Sequence, residues 1–309
     1  MNETHIKYNL IVILGPTATG KTRFASELAA IIDGEIISAD SRQIYRQMNL
    51  GTGKDYEDYR IGDRSIPCHL IDIHEPGYKY NVFEYQQDFL RAFTTIQKSG
   101  KLSILCGGTG MYIEAVTRGY KLISVPVNES LREKLKNKSL IDLEQILTSY
   151  RPLHNQTDTD TIKRAIRAIE IETYYANHPE VKREYPEMHP IYLGLFCERE
   201  IRRERITKRL HTRLKNGMIE EVEHLLREGL SPDDLIYYGL EYKYITLYLT
   251  GKLDYDTLVN KLNVAIHQFA KRQMTWFRKM EKEGIYIHWI DAQLPITEKI
   301  RLAMEILKK

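Results

Sequence analysis

An apolar run, Leu10-Ile11-Val12-Ile13-Leu14, passes directly into Gly15-Pro16-Thr17-Ala18-Thr19-Gly20-Lys21-Thr22, which leads into a stretch of helical spacing, Arg23 to Ile32. Strand, glycine-rich turn and helix in this order are the context in which G-x-x-x-x-G-K-[ST] cradles phosphate. The glycines let the backbone curl so that several N–H groups point inward at a helix N-terminus, where the helix dipole adds partial positive charge. Lys21 adds a full charge, and the Thr22 hydroxyl suits the Mg²⁺ that accompanies such phosphates. Gly15, Thr17, Ala18, Thr19, Gly20, Lys21 and Thr22 are therefore the candidate phosphate-binding residues. A turn that merely caps a helix is the plain alternative, but it does not require this spacing with both flanks. The motif fixes a class of fold; it does not say which phosphate is bound or what is done with it.

A second strand, Glu35-Ile36-Ile37-Ser38, ends in Ala39-Asp40-Ser41-Arg42-Gln43-Ile44-Tyr45-Arg46, and another, Leu102 to Cys106, runs into Gly107-Gly108-Thr109-Gly110-Met111-Tyr112-Ile113. Short strands alternating with helices predict an α/β fold, a P-loop-type parallel sheet flanked by helices. In such sheets ligands sit beyond the carboxyl ends of the strands, so the cradle, Asp40 and Thr109 are expected to open on one crevice. Residues 47–80 read as a long loop, and a helix is predicted at 82–98, entered through Asn81. From residue 121 the texture changes to amphipathic runs at 129–137, 140–150 and 160–175 without strand signal, ending in a Pro/His/Tyr-rich stretch from His178 to Pro190. This predicts an all-helical insertion domain, 121–189, within a discontinuous core domain of residues 1–120 and 190–309. The core resumes with a strand at 191–196, a helix at 199–215, a long helix at 256–282, a strand at 286–290 and a closing helix at 296–308.

Charge narrows the possible partners. The net charge of the 309 residues is only +3, so affinity for nucleic acid has to come from local clustering. Such a cluster occurs in the 199–215 helix, where eight Lys and Arg residues face two acidic ones. Arg205, Arg209 and Arg213 recur every four residues on one face, beside a core-facing stripe of Ile206, Leu210 and Leu214. A basic face can simply be solvated. Near a phosphate cradle it can also grip phosphate oxygens bidentately. The three cysteines, Cys68, Cys106 and Cys197, are far apart and offer neither a disulfide framework nor a zinc site. There is no signal-peptide core after Met1 and no long apolar span, so the expected setting is cytoplasmic, with no membrane partner.

Composition and spacing leave two chemistries open. A P-loop kinase would bind ATP and place an acceptor hydroxyl nearby; an enzyme moving a carbon group off a diphosphate would need cations for the leaving group and a base for the nucleophile. Asp40 and the arginine stripe serve either. The combination GPTATGKT, SADSRQIYR, GGTGMYI and AKRQMTWFR, spread from residue 15 to residue 278, resembles the tRNA dimethylallyltransferase (tRNA isopentenyltransferase) family in its bacterial form. That resemblance implies transfer of a dimethylallyl group from dimethylallyl diphosphate to N6 of adenosine 37, beside the anticodon of tRNAs reading codons that begin with U, with Mg²⁺ and without consumption of a nucleoside triphosphate.

By resemblance, Asp40 is the general base, Thr109 contacts the reacting region, and Arg209, with Arg205 second, clamps the diphosphate. Asp40, Ser41, Arg42, Gln43 and Thr109 are implied to meet the tRNA, as are Lys163, Arg164 and Arg167 of the insertion and Lys271, Arg272 and Gln273 of the AKRQ motif. The partners implied are the anticodon stem-loop of tRNA and the allylic diphosphate, and the chain is expected to be a monomer. It departs from the family pattern at Asp160-Thr161, at Glu241 in Gly239-Leu240-Glu241-Tyr242-Lys243, at Ile266-His267 and at Arg213. Some of its 21 tyrosines could stack on anticodon bases, although packing is the commoner role for any single one.

Overall fold

A computed structural model describes residues 8–120, 122–150, 152, 159–178 and 185–308. The chain divides into two compact units, Met1–Tyr120 with Glu187–Lys309, and Lys121–Pro186. The first unit opens with β1 (Leu10–Leu14), α1 (Lys21–Ile32) and β2 (Gly34–Ser38), followed by a short 3-10 turn and the strands β3 (Arg60–Ile61), β4 (Arg64–Ser65) and β5 (Cys68–His69). Then come α2 (Val82–Lys98), β6 (Leu102–Gly107) and α3 (Gly110–Thr117). The second unit contains α4 (Glu129–Leu135), α5 (Leu140–Tyr150) and α6 (Ile162–Asn177). The first unit then resumes with β7 (Pro190–Phe196), α7 (Arg199–Lys215), α8 (Met218–Arg227), α9 (Pro232–Tyr237), α10 (Leu240–Leu249), α11 (Tyr255–Lys282), β8 (Ile287–Asp291) and α12 (Ile296–Leu307).

Six strands form one parallel sheet in the order β5-β2-β6-β1-β7-β8. All five residues of β1 are buried, as a central strand covered on both faces requires. Its alternate side chains feed two cores. Leu10, Val12 and Leu14 join Phe89 of α2, Ile113 of α3, Leu210 of α7 and Phe277 of α11, whereas Ile11 and Ile13 join Phe24 and Leu28 of α1 and Ala303 of α12. The helix at 82–98 is entered by a capping box, with the Asn81 side chain accepting from the Phe83 and Glu84 amides while Glu84 reaches back to the Asn81 amide.

Register positions the site. Leu14 pairs with Gly107, and Ser38 pairs with Cys106. The three segments that follow β1, β2 and β6 therefore leave the sheet side by side. Their closeness depends on Gly107: a Cβ there would lie 2.2 Å from the Ala39 carbonyl oxygen. Gly15 likewise has φ 150°, and a Cβ on it would lie 2.4 Å from the Leu195 oxygen of the neighbouring strand.

The second unit is a small helical assembly around Leu135, Leu143, Leu147, Ala165 and Ile169. Its buried Glu170 receives the Asn128 amide at 2.6 Å and the Arg132 guanidinium at 3.0 and 3.1 Å, with Arg167 as a further partner.

Candidate active site

The cradle bends sharply between β1 and α1. Ala18 is held at φ 66°, a left-handed conformation that costs a non-glycine residue about 1–2 kcal/mol, and Gly20 at φ 77° caps α1 with no side-chain partner. The Thr19 hydroxyl donates to the Pro16 carbonyl at 2.9 Å, and Lys21 Nζ folds back onto the same oxygen at 2.9 Å. Gln273 of α11 braces the cradle against the turn after β6: its Oε1 accepts from the Thr17 amide at 2.8 Å and its Nε2 donates to the Gly108 carbonyl at 2.9 Å. Arg209 of α7 reaches the Thr17 hydroxyl.

Asp40 follows β2, and its Oδ1 accepts from the Arg42 amide at 3.0 Å. Thr109 ties this turn to the next one, because its Oγ1 accepts from the Ser41 amide at 3.2 Å while its own amide donates to the Ala39 carbonyl at 3.2 Å. Gln43 Nε2 donates to the Gly53 carbonyl at 3.2 Å.

Two cavities meet here. One, of about 340 Å³, is strongly polar and is lined by cradle residues Thr17, Ala18, Gly20, Lys21 and Thr22 together with Arg205 and Arg209. The other, of about 480 Å³, is walled by Ser41, Arg42, Thr109, Phe269, Arg272 and Trp276. Asp40, Thr17, Thr52, Gly108 and Arg209 line both, so the carboxylate stands at the junction.

Burial sets the local electrostatics. It pushes Lys21 down to about 8 from 10.5, with Cys106 and Asp40 opposing the shift and Arg209 adding to it. It pushes Arg209 down to about 10, helped by Arg213 and resisted by Glu241, Asp55 and Asp40. Asp40 is raised by the same burial, against the pull of the Arg42 amide, Lys21 and Arg209. An anion bound in the cradle cavity would favour the charged forms of Lys21 and Arg209.

The cradle cavity also suits a divalent cation. The Thr22 hydroxyl and the carboxylates of Asp55 and Asp58 line it. Among the described residues there is no cluster of three or more His, Cys, Asp or Glu ligands. This donor set fits Mg²⁺, which keeps several waters and takes one or two protein oxygens plus substrate phosphates.

The remaining residues singled out from sequence are distributed unevenly. Arg42 lies over the Tyr237 ring, 5.5 Å from its centroid, and Arg272 over Phe269 at 6.0 Å. Lys271 is exposed and lines neither cavity. Gln273 is 8% exposed with both amide ends engaged by the protein, so its visible work is bracing. In the second unit Lys163 and Arg164 are exposed, Arg164 pairing with Asp160, while Arg167 pairs with Glu170 and donates to the Val125 carbonyl at 2.9 Å. Thr161 caps α6 by accepting from the Arg164 amide at 3.3 Å. Two residues of the larger cavity, Tyr238 and Phe269, carried no sequence signal, whereas Trp276 lies within the AKRQMTWFR motif and Leu240 within the Gly239–Lys243 stretch. Arg213 is buried, pairs with Asp55 at 2.9 Å and lines the larger cavity together with Glu241.

A parallel sheet with a phosphate cradle after its first strand, and a carboxylate between that cradle and a second, more apolar cavity, defines a P-loop-type enzyme that transfers a group. Sequence profiles narrow this: one described as "IPP transferase" matches residues 43–280 and one described as "Isopentenyl transferase" matches residues 8–65. The chain belongs to the IPP transferase family. It is 63% identical over 302 residues to tRNA dimethylallyltransferase 2 of Bacteroides fragilis, covering 98% of this chain and 99% of the relative. It is 61% identical over 300 residues to tRNA dimethylallyltransferase 1 of Parabacteroides distasonis, covering 97% and 98%. Among solved structures, the full-length tRNA isopentenylpyrophosphate transferase of Bacillus halodurans superposes with a TM-score of 0.68 at 30% identity, covering 97% of this chain and 95% of that one. A eukaryotic dimethylallyltransferase acting on tRNA shares the fold, with a TM-score of 0.74 at 21% identity over 92% of this chain and 73% of that one. No helix among the described residues is long and apolar enough to cross a membrane.

Proposed function

We propose that this enzyme transfers the dimethylallyl group of dimethylallyl diphosphate to N6 of adenosine 37 in tRNAs that read codons beginning with U. The observation that carries the reading is the position of Asp40, which lines both the cradle cavity and the larger cavity. The diphosphate lies in the first, against the cradle, Lys21, Arg205 and Arg209, and the flipped-out adenine enters the second. N6 attacks C1 of the allylic group as the C1–O bond to diphosphate breaks. The N6 proton passes to the Asp40 carboxylate, and the electron pair leaves with the diphosphate, whose charge Lys21 and Arg209 stabilise. An adenine amino group is a poor nucleophile because its lone pair is delocalised into the ring, so removing its proton in the transition state is where a base helps. Mg²⁺, when bound through the Thr22 hydroxyl, supplies further charge to the leaving diphosphate.

Extruding the base from the anticodon stack costs roughly a few kcal/mol, to be met by contacts in the larger cavity and along the RNA backbone. Ser41, Arg42, Thr109 and Arg272, which line the larger cavity, are the proposed sources of the first kind of contact. Gln43, on the cradle side, is proposed to meet the RNA where the cavities join, and Lys163, Arg164, Arg167 and Lys271 are the proposed sources of the second kind. Gln273 acts on the RNA only through the turn it braces. The enzyme is proposed to work as a monomer in the cytoplasm. The test is incubation with radiolabelled dimethylallyl diphosphate and unmodified tRNA: label should enter the tRNA without ATP, at the adenosine 3′ of the anticodon, and strict dependence on ATP would reject the reading in favour of a kinase.

A further inference from the structure

Residues 49–53 form a tight turn that walls both cavities, Gly51 and Thr52 facing the larger one and Thr52 and Gly53 the cradle. Its internal bonds are few: the Gly53 amide reaches the Leu50 carbonyl at 3.3 Å, and the Thr52 hydroxyl reaches the Met48 and Asn49 carbonyls at 2.5 and 3.2 Å. What fixes it comes from α8. The Glu221 carboxylate accepts three successive backbone N–H groups, Asn49 at 2.9 Å and Leu50 at 2.7 Å on Oε2, and Gly51 at 3.0 Å on Oε1. The Tyr242 hydroxyl of α10 donates to the same Oε1 at 2.6 Å. Consecutive amides converging on an anion form a nest, and here a side chain about 170 residues away in sequence fills it. From the turn the constraint passes on to the site, since the Gly53 carbonyl accepts from Gln43 and the Arg213 guanidinium packs against Gly53.

We infer that Glu221, braced by Tyr242, is a positioning residue that holds the 49–53 wall in register between donor and acceptor. The inference rests on the proposed prenyl transfer for its kinetic consequence and on the hydrogen bonds alone for its structural one. Glutamine cannot replace the carboxylate, because its NH₂ group turns a donor toward donors; alanine empties the nest.

The test compares Glu221→Gln, Glu221→Ala and Tyr242→Phe with the parent enzyme in tRNA prenylation at 25 °C, together with amide hydrogen exchange of residues 49–53. Both Glu221 variants should lower kcat by about 10–10²-fold, the range expected for a wall displaced by about an ångström, with a smaller change in KM for tRNA. Tyr242→Phe keeps all three amide bonds and should cost about threefold or less. Sodium formate, a carboxylate small enough for the emptied nest, should raise kcat of Glu221→Ala, restore protection of the 49–51 amides, and leave the parent unchanged. A folded Glu221→Ala with parental kcat, or with full protection at 49–51, would overturn the inference. Should the alanine variant not fold, the glutamine variant carries the same comparison. A parent enzyme that fails to prenylate tRNA refutes the proposed function instead, and amide exchange then decides the clamp by itself.

Discussion

Replacing Asp40 with asparagine should raise stability and abolish most turnover at once, an uncommon pair of signs. Asparagine keeps the Oδ1 acceptor that receives the Arg42 amide at 3.0 Å, so the turn after β2 is preserved and only the ability to take a proton is lost. General-base catalysis contributes about 10²–10⁴-fold, equivalent to about 2.7–5.5 kcal/mol of barrier at 1.36 kcal/mol per decade. Stability runs the other way. Burial raises the Asp40 pKa in the folded protein above its ordinary 3.8. Folding therefore favours the protonated acid, and that stabilisation is complete below the unfolded pKa and lost as pH rises through the folded one. The parent ionises the half-buried Asp40 carboxylate only against the cost of its burial; the asparagine variant has no such cost. Its Tm should accordingly exceed the parent's at pH 7, and the difference should close below 3.8, where the acid is protonated in both states. Single-turnover prenylation over a pH series supplies the kinetic half: the parent's rate climbs through a pKa above 3.8, and the variant's shows no such limb. Turnover within a few-fold of the parent would remove Asp40 from the mechanism, and a lowered Tm at pH 7 would refute the account of its burial.

Arg209→Ala should weaken binding of the diphosphate donor far more than binding of tRNA, measured by titration calorimetry with each; equal losses would assign the arginine stripe to RNA. Because burial brings Lys21 to about 8, the free enzyme loses that positive charge as pH passes 8, so donor affinity should fall above this point. Lys21→Arg, charged throughout, should flatten the fall, and a parental profile in that variant would contradict the assignment. Gly107→Ala puts a Cβ 2.2 Å from the Ala39 carbonyl oxygen and must part β6 from the turn carrying Asp40. Its cost should be about 2 kcal/mol or more in urea unfolding, and a cost near zero would show that the two segments are not held as described.

Most of the sheet was legible because its signals are local. A continuous apolar pentad, a glycine turn and a capping Asn81 each announce themselves within a few residues. Accordingly β1, β2, β6, β7, β8 and the long helices begin and end within about two residues of the expected positions, whereas the two-residue strands β3, β4 and β5 lie in the stretch expected to be a loop. The cradle, Asp40 and Thr109 were legible for the same reason, as ends of strands in a parallel sheet. The segment between α7 and α11 was not. Its three helices are only 10, 6 and 10 residues long, too short for periodicity to stand out, yet they bring Tyr238, Leu240 and Glu241 to the larger cavity and Glu221 to the 49–53 turn. Gln273 shows a different limit: its motif is visible in sequence, whereas its bracing depends on two hydrogen bonds to residues 256 and 165 positions away.

In the proposed reaction, the junction position of Asp40 couples the two substrates through electrostatics. Burial lowers the pKa of Lys21 and of Arg209, with Arg209 adding to the shift at Lys21 and Arg213 to that at Arg209. A diphosphate reverses that, since an anion beside each cation favours its charged form. The same cations, together with the Arg42 amide and guanidinium, pull the Asp40 pKa down against its burial. In the proposed reaction, donor phosphate and proton acceptor therefore share one set of positive charges: less cationic charge favours the protonated acid, and more makes Asp40 a weaker base. On the proposed chemistry, a carboxylate lining both cavities, with an arginine from α7 and the cradle lysine within its electrostatic reach, ties the readiness of the acceptor side to occupancy of the donor side without any moving part.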